Sequence, residues 1–514
     1  MAGRAVMVLG TTSGAGKSWL ATALCRWYAR QGLRVAPFKA QNMSNNARVV
    51  PAPGGRMGEI GSAQYFQALA ARREPEVRHN PVLLKPEADT RSQVVVMGEV
   101  RRDLAEVPWR ERSEALWPHA RAALRELLAT HDVVVIEGAG SPAEINLHAS
   151  DYVNMRTARE AGAACLLVTD IDRGGAFAHL YGTHQLLPPE ERALVRGFVL
   201  NRFRGDAALL APGPEMLARL TGVPTVGVLP MWREHGLPEE DGVFDDRSTG
   251  AMPAGPGARP LRVAVIAYPR LSNLDEFQPL RNLPGVRLVW ARHPHDLDGA
   301  DWIVLPGSKH TGADLAWLRA RRLDLAVAHH AAQGGAVLGI CGGLQMLGEA
   351  LIDLDGIDTP GGGSAPGLGL LPLVTVFEAD KLLRPAPVAF GALGGPWRAL
   401  SGVAWRGYEI RHGRTAQHAD LPLAVPAVRN GGDEVIGWQH GPVLGLYAHG
   451  LFESPEVLHA LFGAEVRTLD AVFDGLADFL DRHVPDGVLA GLLQDPDPNN
   501  QDQDPDHQDD EVPR

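Results

Sequence analysis

The sequence predicts an α/β protein whose sheets are mostly parallel, laid out as two units in series. Three observations lead there. Short apolar runs alternate with helical patterns from Ala5 to Pro230, which implies parallel βαβ units. Residues 236–260 then lose apolar periodicity and gather Pro, Gly and acidic residues, the composition of a linker. A second set of apolar runs opens at Arg262. The expected boundaries are 1–235 for the first unit, 236–260 for the linker, 261–485 for the second unit and 486–514 for a tail.

Of the 514 residues, 45% are hydrophobic and 21% charged, a globular balance. No apolar run reaches the ~18 residues of a membrane span. The N-terminus enters a strand with no basic leader, so no signal peptide, no membrane partner and a cytoplasmic location are expected. Cys25, Cys165 and Cys341 are far apart, which argues against a disulfide framework or a CxxC metal site. The net charge of −12 is uneven. Residues 495–514 carry −7 and the other 494 only −5, which argues against general nucleic-acid binding. The tail is rich in Asp, Gln, Asn and Pro, cannot bury a core, and is expected to be disordered.

In the first unit, residues 5–9 read as a buried strand. Gly10, Thr11, Thr12, Ser13, Gly14, Ala15, Gly16, Lys17 and Ser18 follow. A helical pattern then runs to about Arg30, with Leu20, Leu24, Cys25 and Tyr28 on one face. Strand, glycine-rich loop and helix are the context of a phosphate-binding loop. Backbone N–H groups would cradle phosphates, Lys17 would neutralise the β and γ oxygens, and Ser18 would hold Mg²⁺. The spacing is one residue longer than the standard form.

The next strand, 34–38, ends at Lys39 and leads to a polar cluster from Gln41 through Asn42 to Asn46. Strand ends are where open α/β sheets bind ligands, so this cluster is either a substrate-side element or an Asn-rich turn. Residues 59–73 read as a helix beginning at Glu59, a first-turn carboxylate or a metal ligand. A strand at 132–137 ends in Glu137, placed to serve Mg²⁺ as a Walker-B acid does. Further strands at 163–169, 196–200 and 225–230 lead to Asp170, Asn201 and Pro230.

The second unit holds the stretch Ala336 to Gly343, an apolar run ending in G-x-C-x-G. Glycines on both sides of Cys341 allow a sharp strand-to-helix turn that projects the thiol, as a nucleophile elbow does. A buried structural cysteine is the competing interpretation. The turn at Gly307, after the 300–305 strand, could supply an oxyanion N–H opposite the elbow, beside that of Gly342. A cysteine nucleophile needs a base. Of the 19 histidines, His449 and His412 stand at strand ends next to glycine, and spacing favours His449.

Taken together, GTTSGAGKS, APFKAQNMSNN, EIGSAQ, VVVIEGAGSPAEINL, TDIDRGGAFAHL, VLNRFRGD, LPGSKHTGADLAWL, GICGGLQMLG, GYEIRHGRT and HGLFES resemble the cobyric acid synthase family. The resemblance runs from about residue 4 to about residue 465 and leaves out the tail. It implies an N-terminal P-loop ATPase domain similar to dethiobiotin synthetase and a C-terminal class I glutamine amidotransferase domain. It implies a ligase that uses ATP, Mg²⁺ and glutamine to amidate the b, d, e and g carboxylates of adenosylcobyrinic acid a,c-diamide, giving adenosylcobyric acid. A homodimer is an open option.

By motif, Cys341 would be the nucleophile, His449 its base, and Gly10 to Ser18 the ATP loop. Ser18, Glu59 and Glu137 would serve Mg²⁺, Lys39 would reach the γ-phosphate, and Asn201 would approach adenine. Asn42, Asp151 and Asp172 fall to the corrinoid side. The sequence departs from the family pattern at Gly14, Leu344 and His310. Triad glutaminases carry an acid two residues after the histidine, and here that residue is Leu451. The expectation is therefore a Cys341–His449 dyad. Two rivals differ from this pattern. An a,c-diamide synthase would not carry APFKAQN and EINL, and a partitioning ATPase with a dead second domain would not need an intact elbow.

Overall fold

The computed structural model describes residues 3–88, 91–238, 259–359, 361–463 and 467–495. The first unit is built on six parallel strands in the order Thr225–Pro230, Val195–Phe203, Ala164–Asp170, Arg4–Gly10, Val133–Glu137 and Val35–Phe38. Arg4–Gly10 lies inside the sheet because both its faces are apolar. Val6 and Val8 pack toward the Lys17–Arg30 helix, and Met7 and Leu9 toward the long Trp109–Thr130 helix. The glycine-rich loop, Lys39, Glu137, Asp170 and Asn201 all lie at the carboxyl ends of these strands.

Two small sheets, one antiparallel and one mixed, follow the Val35–Phe38 strand. Ala47–Pro51 pairs with Met57–Gly61, and Gln41–Met43 joins a sheet with Val82–Ala88, Arg91–Val96 and Glu99–Val100. Here the expectation of a helix from Glu59 is corrected. Residues 57–61 are strand, and the helix is Ser62–Ala70. Gly58 explains the difference. Its Cα packs so closely on Gly98 that an added Cβ would lie 2.8 Å from the Gly98 Cα, an approach that ties this segment to the small sheet.

The second unit contains an eleven-stranded sheet. Five strands are parallel, in the order Val286–Ala291, Leu261–Ile266, Trp302–Leu305, Ala336–Ile340 and Val443–Leu446. The sheet then turns antiparallel through Val435–His440, Val425–Asn430 and the long Leu373–Phe390 and Ala404–Gln417 pair. That long hairpin reaches the first unit. Ile410 packs on Ala47, Leu83 and Val95, and Lys381 pairs with Glu59 at 2.5 Å.

The C-terminal boundary also differs from expectation. The Leu469–His483 helix does not close the second unit but packs on the first, with Val472, Phe473, Leu476 and Leu480 against the cluster that holds Leu20, Leu24 and Tyr28. Its polar face follows. Arg26 pairs with Asp470, Arg30 with Asp478 at 2.5 Å, and Trp27 Nε1 donates to Asp481 at 2.5 Å. Residues 488–491 form a further short helix, with Leu489 and Leu492 buried, where a disordered tail was expected to have begun. The apolar residues recur at helical spacing, so this segment must bury a face, and the first unit offers one. The expected linker lies largely, and the acidic tail from 496 wholly, outside the described residues. Among the described residues, no helix is long and apolar enough to cross a membrane.

Candidate functional site

Cys341 caps the Gly342–Leu347 helix with φ 52° and ψ −105°, a strained conformation for a residue with a side chain. The flanking glycines make the turn. A Cβ on Gly343 would lie 1.8 Å from the Leu305 carbonyl oxygen, and one on Gly339 would lie 2.4 Å from Leu347 Cδ1. The Cys341 N–H donates to the Leu446 carbonyl at 2.8 Å, and Gln345 N–H donates back to the Cys341 carbonyl at 3.1 Å. The thiol is thus fixed at the end of the Ala336–Ile340 strand, with Sγ 3.6 Å from the Ile410 carbonyl oxygen.

His449 is buried and lines the same cavity as the thiol. Its ring stacks on Tyr408, centroids 5.4 Å apart, and its N–H donates to the Tyr408 carbonyl at 2.9 Å. Nδ1 faces Glu276 Oε1 at 3.4 Å, which leaves Nε2 for the thiol. Burial alone would lower the imidazolium, but the Glu276 carboxylate and the neighbouring Cys341 raise it to about 10. His412, the other candidate, accepts no such role. Its Nδ1 pairs with the Glu378 carbonyl at 3.0 Å, and burial pushes it down to about 4.

The structure places an acid, Glu276, beside the expected dyad. Glu276 is fully buried in the Leu274–Phe277 turn, and its Oε2 accepts from the Gly450 N–H at 3.0 Å. It comes from 173 positions before the histidine, so the acid that Leu451 fails to supply arrives from another part of the chain. Glu453, the acid that follows the histidine, is held by Arg48 instead. Gly307 lies against the pair. A Cβ there would approach His449 Cε1 to 3.0 Å, and one on Gly342 would approach Ser308 N to 2.8 Å.

The thiol opens on a cavity of about 70 Å³ that belongs to both units. Lys309, Lys381 and Arg411 line it from the second unit, and Asn45 and Lys85 from the first. Glu59 closes this side. Its carboxylate is held by Lys85 at 2.8 Å and Lys381 at 2.5 Å. Glu59, expected to serve Mg²⁺, thus makes an ion pair between the two units in this structure.

At the phosphate loop, Gly14 and Gly16 have φ of 71° and 102°, backbone that favours glycine. Thr11 Oγ1 pairs with Thr169 Oγ1 at 2.9 Å, and Thr12, Ser13 and Ala15 complete the turn. Lys17 Nζ spans the mouth, donating to the Thr12 and Gly140 carbonyls at 3.0 Å each. Ser18 Oγ donates to Glu137 Oε1 at 2.8 Å, and Lys39 pairs with the same oxygen at 2.7 Å. Burial would raise Glu137, yet Lys39, Gln67 and Ser18 hold it below the usual range. These hard oxygen donors at a strand end fit a magnesium ion, which Ser18 and Glu137 could hold.

Asn201 is placed against the loop itself. Nδ2 donates to the Ala15 carbonyl at 2.9 Å, and a Cβ on Gly16 would collide with it. Asn42 donates to Gln64 Oε1 at 3.2 Å beside Glu137. Asp151 caps its own loop, accepting from Val153 N–H at 2.8 Å, and lines an open groove of about 760 Å³ with Arg121, Arg156 and Arg159. Asp172 pairs with Arg204 on the exposed side.

Two family models match these units. Residues 6–239 match the CobQ/CobB/MinD/ParA nucleotide binding domain, and residues 262–457 match the CobB/CobQ-like glutamine amidotransferase domain. Curated relatives named cobyric acid synthase are 75% identical in Leptothrix cholodnii over 503 residues, covering 96% of this chain and 98% of that one. In Methylibium petroleiphilum the identity is 73%, with 96% and 98% covered, and in Variovorax paradoxus 68%, with 96% and 100%. The chain is thus a glutamine-dependent amidotransferase with a nucleotide-binding domain. It belongs to the cobyric acid synthase family.

Proposed function

We propose that this enzyme converts adenosylcobyrinic acid a,c-diamide to adenosylcobyric acid, amidating the b, d, e and g carboxylates with glutamine and ATP. The observation that carries the reading is the cavity at Cys341, lined by both units. A thiol that only hydrolysed glutamine would need no wall from a nucleotide-binding domain.

His449 takes the Cys341 Sγ proton, Sγ attacks the glutamine carboxamide carbon, and the N–H groups near Gly342 and Gly307 hold the developing oxyanion. His449, whose proton Glu276 helps to hold, then gives it to the leaving ammonia. Water then hydrolyses the thioester and releases glutamate. In the first unit a substrate carboxylate takes the γ-phosphoryl of ATP, leaving ADP and an acyl phosphate. Gly10 to Ser18 bind the phosphates, with Lys17 and Lys39 neutralising charge. A magnesium ion held by Ser18 and Glu137 would supply further charge neutralisation. Ammonia crosses the shared cavity and displaces phosphate, forming the amide. On the corrinoid side, Asn42 stands closest in sequence to Lys39, Asp151 lines the arginine-bordered groove, and Asp172 lies at the exposed strand end. Asn201 keeps the phosphate loop in shape.

Mass spectrometry of the product made from the a,c-diamide tests the reading. Four carboxylates exchanged for amides, dependent on glutamine and ATP, are expected. A product unchanged in mass would overturn it.

A further inference from the structure

Arg48 belongs to the nucleotide-binding unit, in the Ala47–Pro51 strand, yet its side chain is buried among catalytic elements of the other unit. Its guanidinium forks onto Glu453, Nη1 to Oε2 at 2.9 Å and Nη2 to Oε1 at 2.6 Å, and Nη2 also pairs with Asp275. Asp275 directly precedes Glu276, and Glu453 lies four positions after His449. One cation therefore joins the two segments between which the Glu276–His449 contact is made. A bidentate fork fixes direction as well as distance, which a point charge does not.

Neighbouring contacts repeat the pattern. Asn46 Oδ1 accepts from Leu274 N–H at 3.0 Å. Asn273 Nδ2 donates to the Ala47 carbonyl at 2.9 Å and to the Tyr408 hydroxyl at 2.7 Å. The Arg48 guanidinium lies 5.1 Å from the centroid of Tyr408, the ring that stacks on His449. Three consecutive residues of the first unit, Asn46 to Arg48, thus engage the turn that carries the acid. At its other end this segment follows Lys39 and Asn42, which reach Glu137 and Gln64 beside the phosphate loop. Asn46 also accepts from Ser62 N–H at 3.1 Å, at the start of the helix that carries Gln64 and Gln67.

We infer that Arg48 is a positioning residue for glutamine hydrolysis, through which the nucleotide-binding unit sets the Glu276–His449 pair. The inference rests on the glutaminase reading of Cys341 and His449 given above. Asp275, Glu276 and Glu453 are three carboxylates gathered at one point, and Arg48 is the cation that reaches two of them. Without it, repulsion and rehydration would let the turn move away from the histidine. The groups facing His449 are Glu276, Cys341 and Tyr408, so its proton affinity reports whether Glu276 is in place.

The test replaces the ion cluster without leaving unpaired charges, using Arg48→Met with Asp275→Asn and Glu453→Gln in the full chain. Glutamine hydrolysis, its pH profile and ammonia-driven amidation are measured together. The kcat for hydrolysis is expected to fall about tenfold or more with KM for glutamine little changed. The basic limb of hydrolysis is expected at lower pH than in the native enzyme, because Glu276 raises His449. Amidation from ammonium salt should keep its native rate. Arg48→Lys keeps the charge but not the fork, and should recover part of the lost kcat. An unchanged kcat and basic limb in the folded triple variant would overturn the proposal, as would an equal loss of ammonia-driven amidation, which marks a merely structural role. Should the triple variant not fold, a native kcat and basic limb in Arg48→Lys overturns it. Cys341→Ala is assayed in parallel. Undiminished hydrolysis there sinks the glutaminase reading itself, whatever Arg48 does.

Discussion

The two reaction centres are built in opposite ways. The phosphate loop is contiguous, with Gly10 to Ser18 supplying nearly all of it, Glu137 arriving from the adjacent strand and Lys39 from the strand beyond that one. The proposed glutaminase centre is assembled from four separated places, namely the Cys341 elbow, the His449 strand end, the Gly307 turn and the Glu276 turn. A contiguous site depends on local backbone geometry. An assembled site depends on how distant segments pack, and here that packing includes a second domain.

The largest expected effect separates the two centres outright. Cys341→Ala should lower glutamine hydrolysis by about 10⁴-fold or more. It should leave ammonia-driven amidation intact, because the phosphate loop stands at the strand ends of the other unit. Equal loss of both activities, read by glutamate release and by corrinoid amidation, would break the contrast.

Lys17→Ala is the reciprocal case. One charged donor aimed at a transferring phosphoryl group contributes about 10²- to 10³-fold. Amidation from either glutamine or ammonia should fall by that amount, while basal glutamine hydrolysis persists. ATP-dependent amidation at the native rate would remove Lys17 from the phosphate site.

Glu276→Gln sharpens the description of the assembled centre. The amide keeps the shape and removes the charge that offsets burial of His449. The imidazolium pKa then falls from about 10, so the basic limb of hydrolysis moves to lower pH, with a loss of about tenfold to a hundredfold in kcat. Titration of the rate between neutral and alkaline pH checks the sign. A limb that stays in place would return the centre to the dyad expected from sequence.

The same contrast explains what the sequence made legible. The phosphate loop and the elbow announce themselves because glycine is required by nearby backbone, as at Gly16 and Gly343. Glu276 gives no such signal. An acid in a short turn has many roles, and only the packing of that turn under Gly450 makes it a partner of His449. Glu59 was misplaced for a related reason. Its strand is five residues long and runs straight into a helix, so periodicity could not separate the two. The last helix shows the limit from the other side. Its amphipathic spacing predicts a buried face, but nothing in the spacing says which unit covers it.

That docking gives the smallest predicted effect. Tyr28, buried in the Lys17–Arg30 helix, donates its hydroxyl to the Leu489 carbonyl at 2.8 Å, tying the end of the chain to the helix that follows the phosphate loop. Tyr28→Phe should cost about 1 kcal/mol, the low end for an orphaned acceptor, because the short Val488–Gly491 helix can open to water. Differential scanning of the nucleotide-binding unit should show a lower midpoint, while the kcat of glutamine hydrolysis stays native. The two centres would then be shown to draw stability from different ends of the chain. A matching loss in hydrolysis would mean that the terminal helix also governs the assembled site, through the first unit and the segment around Arg48.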